Sequence, residues 1–260
     1  MKQLISYMLF IAYAILFTSC HHKLDPTRST RVFPQTDRRN NPMLLGTTDP
    51  DTLRKTPYDG WFVKNYNAYN IDTAVADSLK PLLKGRRLLL FMGTWCGDSQ
   101  REVPRLFKLF DYCEIPRSNI QLVMVSDADS TYKQSPGHEE RGRDIFRVPD
   151  CIVIDNKKEL GRIIESPVAT IEKDLLAITA GRSYTPHYPG TAALAVIFHK
   201  EKPGHIRQHL PAIADQLKPL LSRPGELQSY ARILKTAGDL EKADITLQIN
   251  NLLFPAGKGQ

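Results

Sequence analysis

The sequence has no long hydrophobic run, and it contains little cysteine. Its longest apolar stretch, Leu4–Phe17, is shorter than the roughly 20 residues that span a bilayer, which excludes a multi-pass membrane protein. Only four of the 260 residues are cysteine, at positions 20, 96, 113 and 151, which excludes a disulfide scaffold. The chain has a formal charge of +7 but no basic–aromatic motif, so we expect no nucleic-acid partner. Hydrophobic residues make up 42%, which is ordinary for one large or two small globular domains.

The N-terminus resembles a bacterial lipoprotein signal peptide. Residues 1–19 carry a single charge, Lys2, and end in two small residues directly before Cys20. We expect cleavage after residue 19, lipidation of Cys20, and an exported protein anchored to the outer membrane and facing the periplasm. Residues 20–50 are predicted to form a solvated tether. Because Phe17 stands where leucine is usual, an uncleaved anchor or a signal cleaved elsewhere stays an alternative.

Residues 51–182 alternate between helix and strand patterns. The predicted elements are a helix with Asp72 as N-cap that ends at Gly85, a strand Arg87–Met92, a helix Gly97–Tyr112 that contains Pro104, a strand Ile120–Ser126, a short helix ending near Phe146, strands Cys151–Ile154 and Gly161–Glu165, and a helix Thr170–Ala180. This order predicts an α/β fold with a central sheet between helices. We expect parallel strands and an antiparallel hairpin at one edge.

Cys96 follows the first predicted strand of this region and directly precedes a helix. Free backbone N–H groups and the positive end of the helix dipole favour a thiolate over a thiol at such a position. Trp95 would shield one side of the sulfur. These features make Cys96 a candidate nucleophile.

The residues around Cys96 resemble the thioredoxin family over about residues 60–182. The matching features are Trp95-Cys96-Gly97, Pro104 and Val148-Pro149, in that order and spacing. The resemblance implies a thioredoxin-like fold with a cis bond before Pro149, which faces Cys96, and protein thiols or disulfides as partners. It also implies that Glu102 is the buried acidic residue of membrane-anchored, cytochrome-maturation-type thioredoxins, although a purely structural role is an alternative. We expect no cofactor and no metal ion.

The chain departs from the family at Ser99, where thioredoxins carry a second cysteine. A serine hydroxyl cannot resolve a mixed disulfide. Cys96 is therefore a monothiol nucleophile whose adducts another thiol resolves, part of a redox-silent binding platform, or a structural cysteine. Cys151, two residues after Pro149, is the nearest candidate for the resolving thiol. Cys113 follows Cys96 by 17 residues, which in a helix is roughly 25 Å and too far for a disulfide.

Residues 183–260 are predicted to form a separate helical region. Within it, residues 224–255 resemble one tetratricopeptide unit, with Gly238-Asp239 at the turn, Ala243 in the second helix and Pro255 after it. A single copy of a repeat that usually needs about three is also compatible with a generic αα-hairpin. In either case the hairpin is a candidate surface for a protein partner.

Overall fold

A computed structural model describes residues 35–221, 223 and 225–255. Cys20, the predicted signal peptide and the first part of the predicted tether lie outside these residues. The strands are β1 (Gln35–Thr36), β2 (Pro42–Met43), β3 (Gly46–Thr48), β4 (Arg87–Met92), β5 (Ile120–Met124), β6 (Asp150–Asp155) and β7 (Lys158–Ile164). The α-helices are α1 (Asp59–Ala68), α2 (Thr73–Leu83), α3 (Gly97–Tyr112), α4 (Ile171–Thr179), α5 (Pro189–Lys200), α6 (Pro203–Gln208), α7 (Leu210–Leu217), α8 (Gly225–Thr236) and α9 (Leu240–Leu253).

The central sheet has five strands in the order β3-β5-β4-β6-β7. The predicted α/β class, a mixed sheet flanked by helices with a helical C-terminal region, is confirmed. Only β4 and β5 are parallel, because helix α3 returns the chain to the same end of the sheet between them. The segment 125–149 makes no such return, so β6 runs antiparallel to β4. The expectation of parallel strands with antiparallel pairing confined to an edge hairpin is therefore corrected.

The two faces of the sheet bury different apolar clusters. Helices α1 to α4 cover one face, where Leu90 and Met92 of β4 pack against Phe107 and Phe110 of α3. The opposite face carries a smaller cluster around Phe91, which the segment 125–149 covers. Cys96 and Trp95 pack against this smaller cluster.

The segment between β5 and β6 contains no α-helix, so the predicted short helix ending near Phe146 is wrong. Lys133, His138, Gly142 and Asp144 all have positive φ values, between 53° and 70°, which a right-handed helix cannot contain. Hydrogen bonds from the segment's own side chains stabilise its turns instead. The Ser135 hydroxyl, for example, donates to the neighbouring glutamates of the segment.

The predicted tether extends too far along the chain. Strand β3 (Gly46–Thr48) pairs antiparallel with β5 at one edge of the sheet, and Met43, Leu44 and Leu45 are buried. Three adjacent apolar residues are too short a run to predict a strand from periodicity, but the unpaired edge of β5 provides their place. Residues 42–50 therefore belong to the folded domain rather than to a solvated tether.

The C-terminal helices α5 to α9 pack against the segment 125–149 and the end of β7, on the opposite side of the sheet from α1 to α4. Their apolar cluster includes Phe146 and Ile164, which the α/β domain contributes. Helices α8 and α9 form the predicted αα-hairpin, with Ala231 and Ala243 buried in it. In the part of the chain that the structure describes, no helix has the length and apolar character needed to cross a bilayer.

Candidate active site

Cys96 is the N-cap residue of α3, as the sequence predicts, and its side chain is partly exposed. Strand β4 ends at Met92, and a turn in which the Cys96 N–H donates to Gly93 O at 3.0 Å leads into the helix. No side chain caps α3. The sulfur therefore lies beside the first backbone N–H groups of a 16-residue helix, where the helix dipole favours negative charge.

The peptide bond between Val148 and Pro149 is cis and lies against Cys96, which confirms the prediction made for this bond. The Cys96 thiol donates to the carbonyl oxygen of Val148 at 3.3 Å. Pro149 is buried and directly precedes β6. The partly exposed thiol thus lies against the backbone just before Pro149.

Trp95 and Ser99 flank Cys96 in the sequence, and each makes a hydrogen bond near the end of the central strands. The indole Nε1–H of Trp95 donates to Val125 O at 2.8 Å, which fixes the ring against the end of β5. A side chain at Gly93 would collide with this ring, so only glycine fits there. Ser99 is fully buried, and its hydroxyl accepts from the Gly93 N–H at 3.3 Å. The serine stabilises the turn before Cys96.

Cys151 lies on the opposite face of the sheet from Cys96. Its side chain packs in the cluster beneath α1 to α4, whereas Cys96 packs against the cluster on the other face. Complete burial raises the pKa of the Cys151 thiol far above its usual value, so the reactive thiolate is strongly disfavoured. This placement does not favour Cys151 as the resolving thiol. Burial also raises the pKa of Cys113, at the far end of α3, to about 11.

Glu102 is buried six residues after Cys96 on α3 and forms ion pairs with two arginines. Arg101 Nε lies 2.6 Å from its carboxylate, and Arg105 Nη1 lies 3.2 Å from it. Arg101 also pairs with Asp98 at 2.7 Å. The ion pairs of Glu102 with two arginines favour a structural role for this residue.

Three side chains grouped next to Trp95 carried no signal in the sequence. Lys133 and Tyr132 come from the irregular segment after β5, and Arg232 comes from α8. The Tyr132 ring lies 6.0 Å from the Trp95 ring, and the Arg232 guanidinium lies 3.9 Å from the centroid of Tyr132. The C-terminal hairpin therefore forms one wall beside the site. No motif joins these residues, because they are distant in sequence and their segment has no periodic pattern.

Comparison with known proteins gives little further information. No family model matches the chain, and no curated protein matches it. Two solved structures, an HIV epitope-scaffold and a protein of unknown function from Pseudomonas aeruginosa, are similar at 20% and 21% identity. The matches cover 53% and 52% of this chain, and 94% and 83% of the other chains, with TM-scores of 0.39 and 0.35.

Proposed function

We propose that this protein is an exported, lipid-anchored, thioredoxin-like protein that performs thiol–disulfide exchange with a single cysteine, Cys96. The observation that carries the proposal is the position of this thiol. It is partly exposed at the start of α3 and lies against Val148 O, beside Pro149. The indole of Trp95 limits approach from one side, while the other described cysteines are buried.

The reaction begins with the thiolate of Cys96 and a disulfide of a substrate protein. The Cys96 sulfur attacks one sulfur of that disulfide, a new S–S bond forms, and the other substrate sulfur leaves as a thiolate. The substrate disulfide is itself the oxidant, so no further redox partner is needed. An external thiol, from a small molecule or a protein, then attacks the mixed disulfide and releases Cys96.

Because Ser99 cannot release the adduct, the wild-type protein accumulates mixed disulfides. The test is to express it in the envelope of a bacterium, quench the thiols with acid and then alkylate them, and separate the proteins on non-reducing gels. We expect adducts that reducing agent removes, that Cys96→Ser abolishes, and that the matched control Cys151→Ser leaves unchanged. An absence of adducts, together with alkylation of Cys96 as slow as that of a buried cysteine, would support the redox-silent binding platform instead.

The lipid anchor is tested separately from the chemistry. Metabolic labelling with a radioactive fatty acid is expected to label the wild-type chain and Cys96→Ser equally, and Cys20→Ser not at all. Labelling that persists in Cys20→Ser would contradict the anchor but would leave the role of Cys96 untouched.

A further inference from the structure

Lys133 is a buried cation without an ionic partner of its own. The residue is only 4% exposed, and its ammonium donates to Phe146 O at 2.6 Å. Among the described residues, no carboxylate forms an ion pair with it. A buried ammonium that has only a carbonyl for a partner costs considerable free energy of folding. This cost suggests that the buried charge of Lys133 has a functional role.

The ammonium of Lys133 and the thiol of Cys96 bind the same short piece of backbone. Lys133 donates to Phe146 O, and Cys96 donates to Val148 O, two residues further along. The Tyr132 ring contacts both the ammonium, which lies 4.9 Å from its centroid, and Trp95, the residue before Cys96. The sulfur and the ammonium therefore belong to one cluster at the end of the sheet.

The backbone holds Lys133 in this position. Its φ of 58° lies in the left-handed region that side-chain-bearing residues rarely adopt. The Lys133 N–H donates to Ser126 O at 2.8 Å, and the Ser126 N–H donates to Gln134 O at 2.9 Å, so the turn is tied to the end of β5. A loop fixed in this way presents the ammonium with little freedom to move into solvent.

We infer that Lys133 is a positioning residue whose ammonium stabilises the thiolate of Cys96 in the exchange reaction. The inference rests on the proposed function, since it concerns the state of the sulfur that attacks a disulfide. When the thiol loses its proton, its hydrogen bond to Val148 O is lost as well. The nearby ammonium then supplies the attraction that holds the charged sulfur in place.

Other charged groups around Lys133 act on it more weakly or are already paired. Arg147 repels the ammonium and binds Glu165, whose carboxylate also accepts from the Tyr188 hydroxyl. Arg232 approaches from α8 and pairs with Asp129, to which Arg38 of the β1–β2 turn also binds. Glu165 is thus shared with other donors, which leaves Cys96 as the available anionic partner of Lys133.

Burial is the main cause that lowers the pKa of Lys133, to about 8, and repulsion from Arg147 adds to it. The lysine is therefore mostly charged at neutral pH and becomes neutral in mildly alkaline solution. The attraction of its ammonium for a charged sulfur is therefore largest below pH 8 and is lost above it.

The test measures the rate at which iodoacetamide alkylates Cys96 between pH 5 and 10, with the modified peptide quantified by mass spectrometry. Lys133→Met removes the charge and keeps the length of the side chain. We expect its alkylation rate at pH 7 to fall about tenfold, and its rate-against-pH curve to move by about one unit toward alkaline pH. Above pH 9 the two rates should converge.

Lys108→Met is the matched control, because Lys108 also donates to backbone carbonyls, those of Asn67 and Tyr69, but lies three turns along α3. It should leave the curve unchanged. A folded Lys133→Met protein with the wild-type curve would overturn the inference while leaving the proposed function intact. A wild-type Cys96 that reacts as slowly as a buried thiol at every pH would contradict the proposed function itself.

Discussion

At the scale of single residues, two side chains bear on the chemistry of Cys96. They are Ser99, on the same helix, and Lys133, in the segment after β5. Ser99 fills the place of a second thiol and instead holds the N–H of Gly93. Lys133 supplies a buried positive charge from a segment with no recognisable pattern. Under the proposed function, the serine leaves no internal route for releasing an adduct, and the lysine favours its formation.

Replacing Ser99 with cysteine should restore the missing thiol. Residues three apart on the first turn of a helix face each other, so Ser99→Cys is expected to form a disulfide with Cys96 under mild oxidation. The measurement is protection of both thiols from alkylation, reversed by a reducing agent. Asp98→Cys is the control, because residues two apart point away from each other. A Ser99→Cys protein that stays fully reduced in oxidised glutathione would contradict the geometry.

Lys133→Met should also make the protein more stable at neutral pH, although it is expected to make Cys96 less reactive. The pKa of Lys133 falls from 10.5 in the unfolded chain to about 8 in the folded one. Its favourable contribution is therefore present above pH 10.5 and lost as the pH falls through about 8. At pH 7 we expect the methionine variant to have a higher free energy of unfolding than wild type, by up to about 3 kcal/mol for a shift of this size, measured by urea denaturation. A variant less stable than wild type at pH 7 would argue against this.

At the scale of elements, strands β6 and β7 bring a buried ion pair close to the site. Asp150 is completely buried directly after Pro149, and Arg162 Nη1 of β7 lies 3.1 Å from its carboxylate. Burial raises the pKa of Asp150 to about 7, although the guanidinium of Arg162 opposes this shift. Burial thus favours the protonated form of this carboxyl group, while its ion pair with Arg162 favours the charged form.

Asp150 should make the stability of the protein fall as the pH rises. Its folded pKa exceeds the unfolded value of 3.8, so its favourable contribution is complete below about pH 4 and is lost as the pH rises through about 7. The difference in unfolding free energy between Asp150→Asn and wild type should change by about 4 kcal/mol across this window. The exposed Asp215→Asn is the control and should show no such change. A constant difference for Asp150→Asn would show that Asp150 stays charged throughout.

At the scale of the whole molecule, the C-terminal helices complete the α/β domain. The Tyr230 hydroxyl of α8 donates to Asp144 at 2.9 Å, and Gln134 donates to Thr236 O at the end of α8 at 2.9 Å. These contacts fix the irregular segment that carries Lys133, as does the apolar cluster around Phe146. The hairpin therefore supports the site as well as offering a surface for a partner.

Weakening α8 should consequently destabilise the entire fold. Leu227 is completely buried in the cluster shared by the helices and the sheet, so Leu227→Ala is expected to cost about 2–5 kcal/mol. Both tryptophans, Trp61 and Trp95, lie outside the C-terminal helices, and their fluorescence should report one shared unfolding transition at lower urea. Leu240→Ala, at a residue 63% exposed on α9, should change stability by less than about 0.5 kcal/mol. A separate transition that leaves tryptophan fluorescence unchanged would show that the helices unfold independently.

The sequence by itself determined the elements whose pattern is local. The continuous apolar run of β4 and the helical spacing of α3 predicted Arg87–Met92 and Gly97–Tyr112 with the bounds that the structure has. The same patterns predicted that Cys96 directly precedes a helix and that Pro149 directly precedes a strand. Each of these features depends on neighbouring residues, which is why the order of residues alone was sufficient.

Only the tertiary structure decided which distant residues meet around Cys96. The register of β6, in which Cys151 pairs with Leu90, turns Cys151 to the opposite face, and positive φ values in an aperiodic segment bring Lys133 to the backbone just before Val148. Helix α8 places Arg232 against Tyr132 across about 100 residues of sequence. Such contacts arise from the packing of faces that no local pattern encodes, because periodicity specifies which side of an element is buried but not what covers it.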